Sequence, residues 1–214
     1  MGALAVGRVK AADLDAVTLD AYGTLVQLRD PVSALLAALA ERGVDRSEEE
    51  VRAGFLAEAA HYTPRASEGH DKPSLARLQR ECASVFLSAV NAKLDVDEFT
   101  PVYVGSLEFE PLPGVVESLG QLQALGLALA VVGNWDLTLH RRLDEVGLTR
   151  NFATIVHAAR KPAPDGLLQA LGELQVAPDR ALHVGDDDAD EQAARAAGMH
   201  FAWAPLTAVV SGLT

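Results

Sequence analysis

The sequence predicts an α/β protein: a parallel sheet with helices on both faces and an α-helical module inserted after the first strand. Three observations point there. From Pro111 onward, strand-like runs alternate with helical ones. Those strand-like runs are continuously apolar, as expected for strands buried on both faces. Between about Asp30 and Gly105, by contrast, apolar residues recur only at helical spacing.

The first strand is Ala16 to Leu19, an apolar run that delivers Asp20 into a Gly-Thr turn. In the insert, Val32, Leu35, Leu36 and Leu39 mark one helix, which Gly43 stops. A second runs from Glu48 to His61 behind Ser47, with Glu50 at capping-box spacing. Two more are expected over Ser74 to Asn91 and about Val96 to Leu107. Pro64, Gly69 and Pro73 predict a loop, with His61, Tyr62 and His70 nearby. After Pro113-Gly114 a helix carries Leu119, Leu122 and Leu125 on one face, and Gly126 ends it. Leu127 to Val132 reads as a strand and Asp136 to Val146 as a helix. The alternation continues with strand Phe152 to Val156, helix Asp165 to Leu174, strand Ala181 to Val184, helix Asp190 to Ala197 and a last strand at His200 to Ala204. The expected division is a core of residues 1–28 and 107–214 and a helical insert of 29–106, with hinges near Leu28 to Asp30 and Gly105 to Phe109.

The 214 residues suffice for one sizeable core and a smaller inserted module. A formal net charge of −12, with no Lys/Arg cluster interleaved with aromatics, argues against nucleic acid as a partner. The single cysteine, Cys82, cannot form an intramolecular disulfide and reads as a packed thiol. Ala3 to Val6 is too short for a signal segment, and no apolar run nears the roughly 20 residues of a membrane span. A cytoplasmic protein away from the membrane is the expectation.

In sheets of this kind functional groups gather at the carboxyl ends of the strands. There the sequence places Asp20 before Gly23 and Thr24, Gly133-Asn134-Trp135, Lys161 in Arg-Lys-Pro, and Gly185-Asp186-Asp187-Asp188-Ala-Asp190. Each alone has an ordinary role as a turn, cap or solvated residue. Together they fit phosphoryl transfer on a small phosphorylated substrate. Asp20 is the candidate nucleophile, forming an aspartyl-phosphate, and Lys161 balances its charge. Thr24 and backbone N–H groups near Asn134 would bind phosphate oxygens. A divalent cation between Asp20 and Asp186 would offset the negative charge, and Mg²⁺ suits such an all-oxygen site. The chain offers no Cys/His set for zinc.

Asp20-x-x-Gly-Thr-Leu25, Asn134 after an apolar strand, Lys161-Pro and Gly185-Asp186-x-x-x-Asp190, in that order, resemble the four motifs of the haloacid dehalogenase superfamily of hydrolases. The resemblance spans nearly the whole chain. It implies a Rossmann-like core, a helical cap between the first two motifs and, for most members, Mg²⁺-dependent phosphatase activity. It further implies that Asp186 and Asp190 hold the metal directly or through water, that Tyr22 lends it a backbone carbonyl, and that Thr24, Gly133 and Asn134 surround the phosphate. The cap would close over the strand ends and choose the substrate.

Two positions depart from the superfamily's phosphatases. Tyr22 stands where a general acid/base aspartate is usual, and Gly133 where a Ser or Thr usually ends the second strand. A phenol near pKa ~10 is a poor proton shuttle at neutral pH. Gly133 lacks the hydroxyl, although its N–H and the Asn134 amide are expected to compensate. Asp-x-Tyr-Gly-Thr also resembles the metal-independent 2-haloacid dehalogenases, whose halide leaves unprotonated; Arg52 and Arg65 would then be candidates to hold the substrate carboxylate, although solvated roles suit both. The acidic cluster around Asp186 favours the phosphatase over this alternative. A third reading is a phospho-ligand or partner-binding protein with little or no turnover.

Overall fold

The computed structural model describes residues 9–213; Ala3 to Val6 lie outside them. The chain divides into two compact units, one made of Met1–Gln27 and Pro111–Thr214, the other of Leu28–Glu110. The strands in chain order are β1 (Ala16–Leu19), β2 (Val26–Leu28), β3 (Phe109–Pro111), β4 (Ala128–Val132), β5 (Thr154–Val156), β6 (Ala181–Gly185) and β7 (His200–Trp203). The helices are α1 (Pro31–Ala40), α2 (Glu48–Tyr62), α3 (Lys72–Ala89), α4 (Val96–Gly105), α5 (Val115–Ala124), α6 (Leu139–Glu145), α7 (Asp165–Leu174), α8 (Asp188–Ala197) and α9 (Leu206–Leu213).

In the first unit five strands form a sheet in the order β5-β4-β1-β6-β7, and every pairing is parallel. This is the parallel α/β sheet that the alternation predicts and the Rossmann-like core that the resemblance implies. After β5 the chain crosses β4 and β1 to add β6 on the far side, so strand order reverses between β1 and β6. Such a switch point opens a crevice at the carboxyl ends of its two strands. Asp20 and Asp186 follow those two ends directly.

The central strands are buried along their length. Ala16 and Ala181 join Val132, Val156, Leu167 and Leu171 in one core cluster. Because side chains alternate between faces, Thr18 and His183 share that face, with Leu19 and Val184 on the other.

Several element ends differ from expectation for local reasons. The helix after β4 begins at Leu139, since Asp136 Oδ1 first accepts from the Thr138 N–H (2.8 Å) and hydroxyl (2.6 Å). Helix α8 starts two residues early because the Asp187 side chain caps it, accepting from Asp190 N–H. Residues 149–151 form a 3₁₀ turn, and β5 follows only from Thr154. An unexpected helix, α9, packs on α5 through a buried stripe of Leu206, Val209, Val210 and Leu213.

The second unit is helical. The Ser47/Glu50 capping box forms as expected, and a 3₁₀ helix, Thr63–Glu68, replaces part of the expected loop. Phe86, Phe99 and Tyr103 pack at its centre with ring centroids 5.2 to 6.5 Å apart, and Cys82 is buried in the same cluster. A Cβ on Gly54 would lie 2.4 Å from Val90 Cγ1, so the glycine lets α2 sit close on its neighbour. Strands β2 and β3, where the chain passes between the units, pair with each other. Among the described residues no helix is long and apolar enough to cross a membrane.

Candidate active site

Strand β1 is fixed by register with β4 and β6, and its carboxyl end carries Asp20, whose N–H donates to Val184 O at 2.9 Å. Asp20 is nearly buried, at 9% exposure. Its carboxylate accepts from Lys161 Nζ at 2.5 Å, and the same ammonium donates to Asp190 Oδ1.

Lys161 reaches this position through its loop. Ala158 N–H donates to Trp135 O (2.8 Å) and Ala159 N–H to Gly133 O (3.2 Å), tying the segment after β5 to the segment after β4. Asn134 completes the tie: its Oδ1 accepts from Lys161 N–H (2.7 Å) and its Nδ2 donates to Lys161 O (2.8 Å). Ala158 and Arg160 take left-handed conformations, φ 51° and 58°. Strain of that kind is held only where surrounding bonds over-determine the chain.

The Asn134 amide, expected to help bind phosphate, is therefore engaged at both ends in clamping the lysine. Gly133 N–H, expected to help compensate for the missing hydroxyl, donates to Val156 O at 3.0 Å. A Cβ on Gly133 would sit in ordinary contact, 3.4 Å from Leu139 Cδ2, so packing does not demand glycine there.

Asp190, on α8, is saturated. Oδ1 accepts from Lys161 and from His183 Nε2 (3.0 Å), and Oδ2 faces the N–H groups of Asp186 (3.2 Å) and Asp187 (3.3 Å). Its Cγ also sits where a Cβ on Gly185 would come within 2.2 Å. Asp186 is the exposed member of the set. One oxygen from each of Asp20, Asp186 and Asp190 falls within 4.8 Å of the others, and this all-carboxylate donor set fits a hard divalent cation such as Mg²⁺. Asp187 and Asp188 are exposed, and Asp187 is spent on its cap.

The charges set the titration. Burial pushes Asp20 up to about 6 against the pull of Lys161, and the nearby Asp190 adds to the rise. Burial acts the same way on Asp190, but the His183 hydrogen bond and the Lys161 charge outweigh it and hold it below the usual carboxylate range. The difference follows from donors: Asp190 has four, so a proton entering the pair goes to Asp20. Lys161 is raised, burial being overcome by its two carboxylates. Asp186 is raised by burial and by Asp190 and Asp187.

Thr24 is buried, and its hydroxyl oxygen has no hydrogen-bond partner. Such an orphaned group is costly unless a ligand satisfies it. Tyr22 is half exposed, and its phenol is raised by burial and by Asp186. Trp135 is buried, its indole N–H donating to Thr138 Oγ1 at 3.3 Å. In the helical unit Arg52 pairs with Glu48 at 2.5 Å and Arg65 donates to His61 O at 2.8 Å. Sequence reasoning missed Thr18 and His183, which join the site from beneath.

The family described as haloacid dehalogenase-like hydrolase matches residues 14–198. The chain belongs to that family. This haloacid dehalogenase-like hydrolase is 34% identical over 127 residues to a phosphoglycolate phosphatase of Mesorhizobium japonicum, a match covering 57% of this chain and 53% of the relative. The match thus spans about half the length of that relative. Solved structures share the fold. An HAD phosphatase from Thermococcus onnurineus superposes with a TM-score of 0.59 at 22% identity, over 90% of this chain and 86% of the other. An L-2-haloacid dehalogenase from Xanthobacter autotrophicus gives 0.65 at 23% identity, over 88% of this chain and 76% of the other.

Proposed function

We propose that this hydrolase is a Mg²⁺-dependent phosphatase acting on a small phosphorylated metabolite through an aspartyl-phosphate at Asp20. The observation that carries the reading is the approach of the Asp20, Asp186 and Asp190 oxygens to within 4.8 Å of one another. Three carboxylates so close oppose one another's ionisation, and Lys161 supplies a single positive charge; a divalent cation makes up the difference. Asp20, Asp186 and the Tyr22 carbonyl would hold Mg²⁺, with Asp190 acting through water because its oxygens are already engaged. When bound, Mg²⁺ would supply charge neutralisation for the nucleophile and the phosphoryl oxygens.

The chain's own residues do the rest. An Asp20 carboxylate oxygen forms the bond to phosphorus as the ester oxygen leaves with the bonding pair, and water then displaces Asp20 from phosphorus. Lys161 holds positive charge against the attacking oxygen throughout. The orphaned Thr24 hydroxyl is suited to donate to a phosphate oxygen, and backbone N–H groups around Asn134 would add to it. Tyr22 gives no efficient proton to the leaving group, so turnover is slow with poor leaving groups. The names of the curated relatives make 2-phosphoglycolate the first substrate to try.

Tyr22 also favours a second reading, metal-independent removal of halide from a 2-haloacid, which needs no proton donor for the leaving group. One preparation decides between them: release of p-nitrophenol from p-nitrophenyl phosphate and of chloride from 2-chloropropionate, each with Mg²⁺ and with EDTA, beside an Asp20→Asn control. Mg²⁺-dependent phosphate release lost in the control is expected. Chloride release that survives EDTA would replace the proposal with the dehalogenase, and silence on both substrates would replace it with a binding protein.

A further inference from the structure

We propose that His183 is a positioning residue that locks the Asp190 carboxylate, and through it Lys161, into the geometry that the nucleophile requires; this rests on the Asp20 site being the reacting centre. His183 has no exposed surface and sits in β6 in register with Thr18 of β1. Its Nδ1 lies 2.8 Å from Thr18 Oγ1 and 3.2 Å from Thr18 O, and its Nε2 3.0 Å from Asp190 Oδ1. An ionised carboxylate only accepts, so Nε2 carries the hydrogen. Nδ1 then presents its lone pair, and the Thr18 hydroxyl donates to it. The carboxylate thus fixes a hydrogen on Nε2, and at Nδ1 the shorter contact to Thr18 Oγ1 selects the lone pair over an N–H donated to Thr18 O, which gives the neutral Nε2–H form.

A Thr–His pair inside two otherwise apolar strands is costly to desolvate, and two aliphatic side chains would fill the space without that cost. Its one outlet is Asp190. On the neighbouring strand, Phe201 of β7 is in register with His183, its ring centroid 6.2 Å from the imidazole. The remaining hold on Asp190 Oδ2 comes from two long contacts, 3.2 and 3.3 Å. Without His183 the carboxylate keeps only Lys161 on Oδ1 and these two long contacts on Oδ2, so its orientation, and that of the Lys161 ammonium it shares with Asp20, is less firmly held. Groups that orient a ligating carboxylate typically change metal affinity or activity by about 10–100-fold when removed.

The test uses the full chain. With ¹⁵N-histidine and no metal, the ring whose signals vanish in His183→Gln should show the neutral Nε2–H form at pH 8. His183→Gln keeps an N–H donor near the Nε2 position, whereas His183→Leu removes it. Leu should lower kcat on p-nitrophenyl phosphate by about 10–100-fold with KM little changed, and weaken Mn²⁺ binding, read from the free-ion EPR signal, by about 10-fold. Gln should recover most of both losses. Thr18→Val should admit the Nδ1–H form and lose part of kcat. A parent ring in the Nδ1–H form, or Gln as damaging as Leu, overturns the proposal. If Leu does not fold, the tautomer and the Gln and Val variants still decide it. A parent that neither binds Mn²⁺ nor hydrolyses the ester sinks the phosphatase reading instead, and the tautomer then still shows whether His183 holds Asp190.

Discussion

The Asp186 carboxylate lies against the backbone of Gly23: a Cβ placed on that glycine would come 2.1 Å from Asp186 Oδ2. The same relation recurs between Gly185 and Asp190, so two of the three clustered carboxylates rest where a side chain is missing. The glycine of the first motif is thus tied to the acid of the last by contact as well as by turn geometry. Gly23 also has φ +81°, a region in which side chains are strained.

Gly23→Ala should therefore displace Asp186 while the sheet stays intact. We expect divalent-ion affinity to fall by at least about 10-fold, the lower end of losses seen when groups supporting a metal site are disturbed. Mn²⁺ titration followed by EPR measures it, with circular dichroism as the fold control. An alanine variant that binds like the parent would show that Asp186 does not need this seat.

Lys161→Met keeps the length of the side chain but leaves Asp20 and Asp190 buried without their shared cation. Removing one partner of a buried ion pair costs about 3–5 kcal/mol, most of it the charge left behind. Urea unfolding should report a loss of that order, with hydrolysis abolished. Adding Asp20→Asn to the variant removes one of the stranded charges, so the double variant should be more stable than Lys161→Met alone. Equal stability of the two would mean that the methionine site fails by packing instead.

Features set by local pattern are legible in the residues. Helix α7 and the start of β6 stand where periodicity puts them, and Ser47 with Glu50 caps α2. Strands β2 and β3 are three residues each and exist through each other, so neither leaves a pattern of its own. Helix α9 left a stripe at helical spacing, but Thr207 and Gly212 dilute it and two of its four members, Val209 and Val210, are β-branched residues that favour strands. In the site the ordered motifs bring Asp20, Lys161 and Asp190 together. The partners of Asn134 depend on a loop bent through left-handed Ala158 and Arg160, which no spacing reveals. His183 and Thr18 left one weak signal, a polar residue in the middle of each short apolar run. What each meets depends on strand register.

Glu58 gives the helical unit a pH dependence. It is buried on α2, and burial raises its carboxyl, only partly offset by the neighbouring Tyr103 hydroxyl and Cys82 thiol. Its folded pKa lies above the unfolded one, so the stability it contributes is complete below the unfolded value and is lost as pH rises through the folded value. Glu58→Gln removes the titration. Urea midpoints at pH 4.5 and pH 8 should thus converge in the variant, with the gain at pH 8. A variant losing as much stability at pH 8 as at pH 4.5 would mean that the ionised form is the one the fold prefers.

Tyr22→Asp tests whether a missing proton donor limits turnover. The side chain is half exposed, so the change sacrifices little packing. General acid catalysis is worth roughly 10²–10⁴-fold, and it matters in proportion to the basicity of the leaving oxygen. p-Nitrophenolate leaves readily without a proton, whereas an alkoxide does not. We therefore expect kcat for an alkyl phosphate such as 2-phosphoglycolate to rise by about 10²-fold or more with Mg²⁺ present. p-Nitrophenyl phosphate should change far less. The new acid would face Asp186, whose charge already raises the Tyr22 phenol, so the gain should need the metal that neutralises both. An equal effect on the two esters would place the role of Tyr22 in binding rather than in proton transfer.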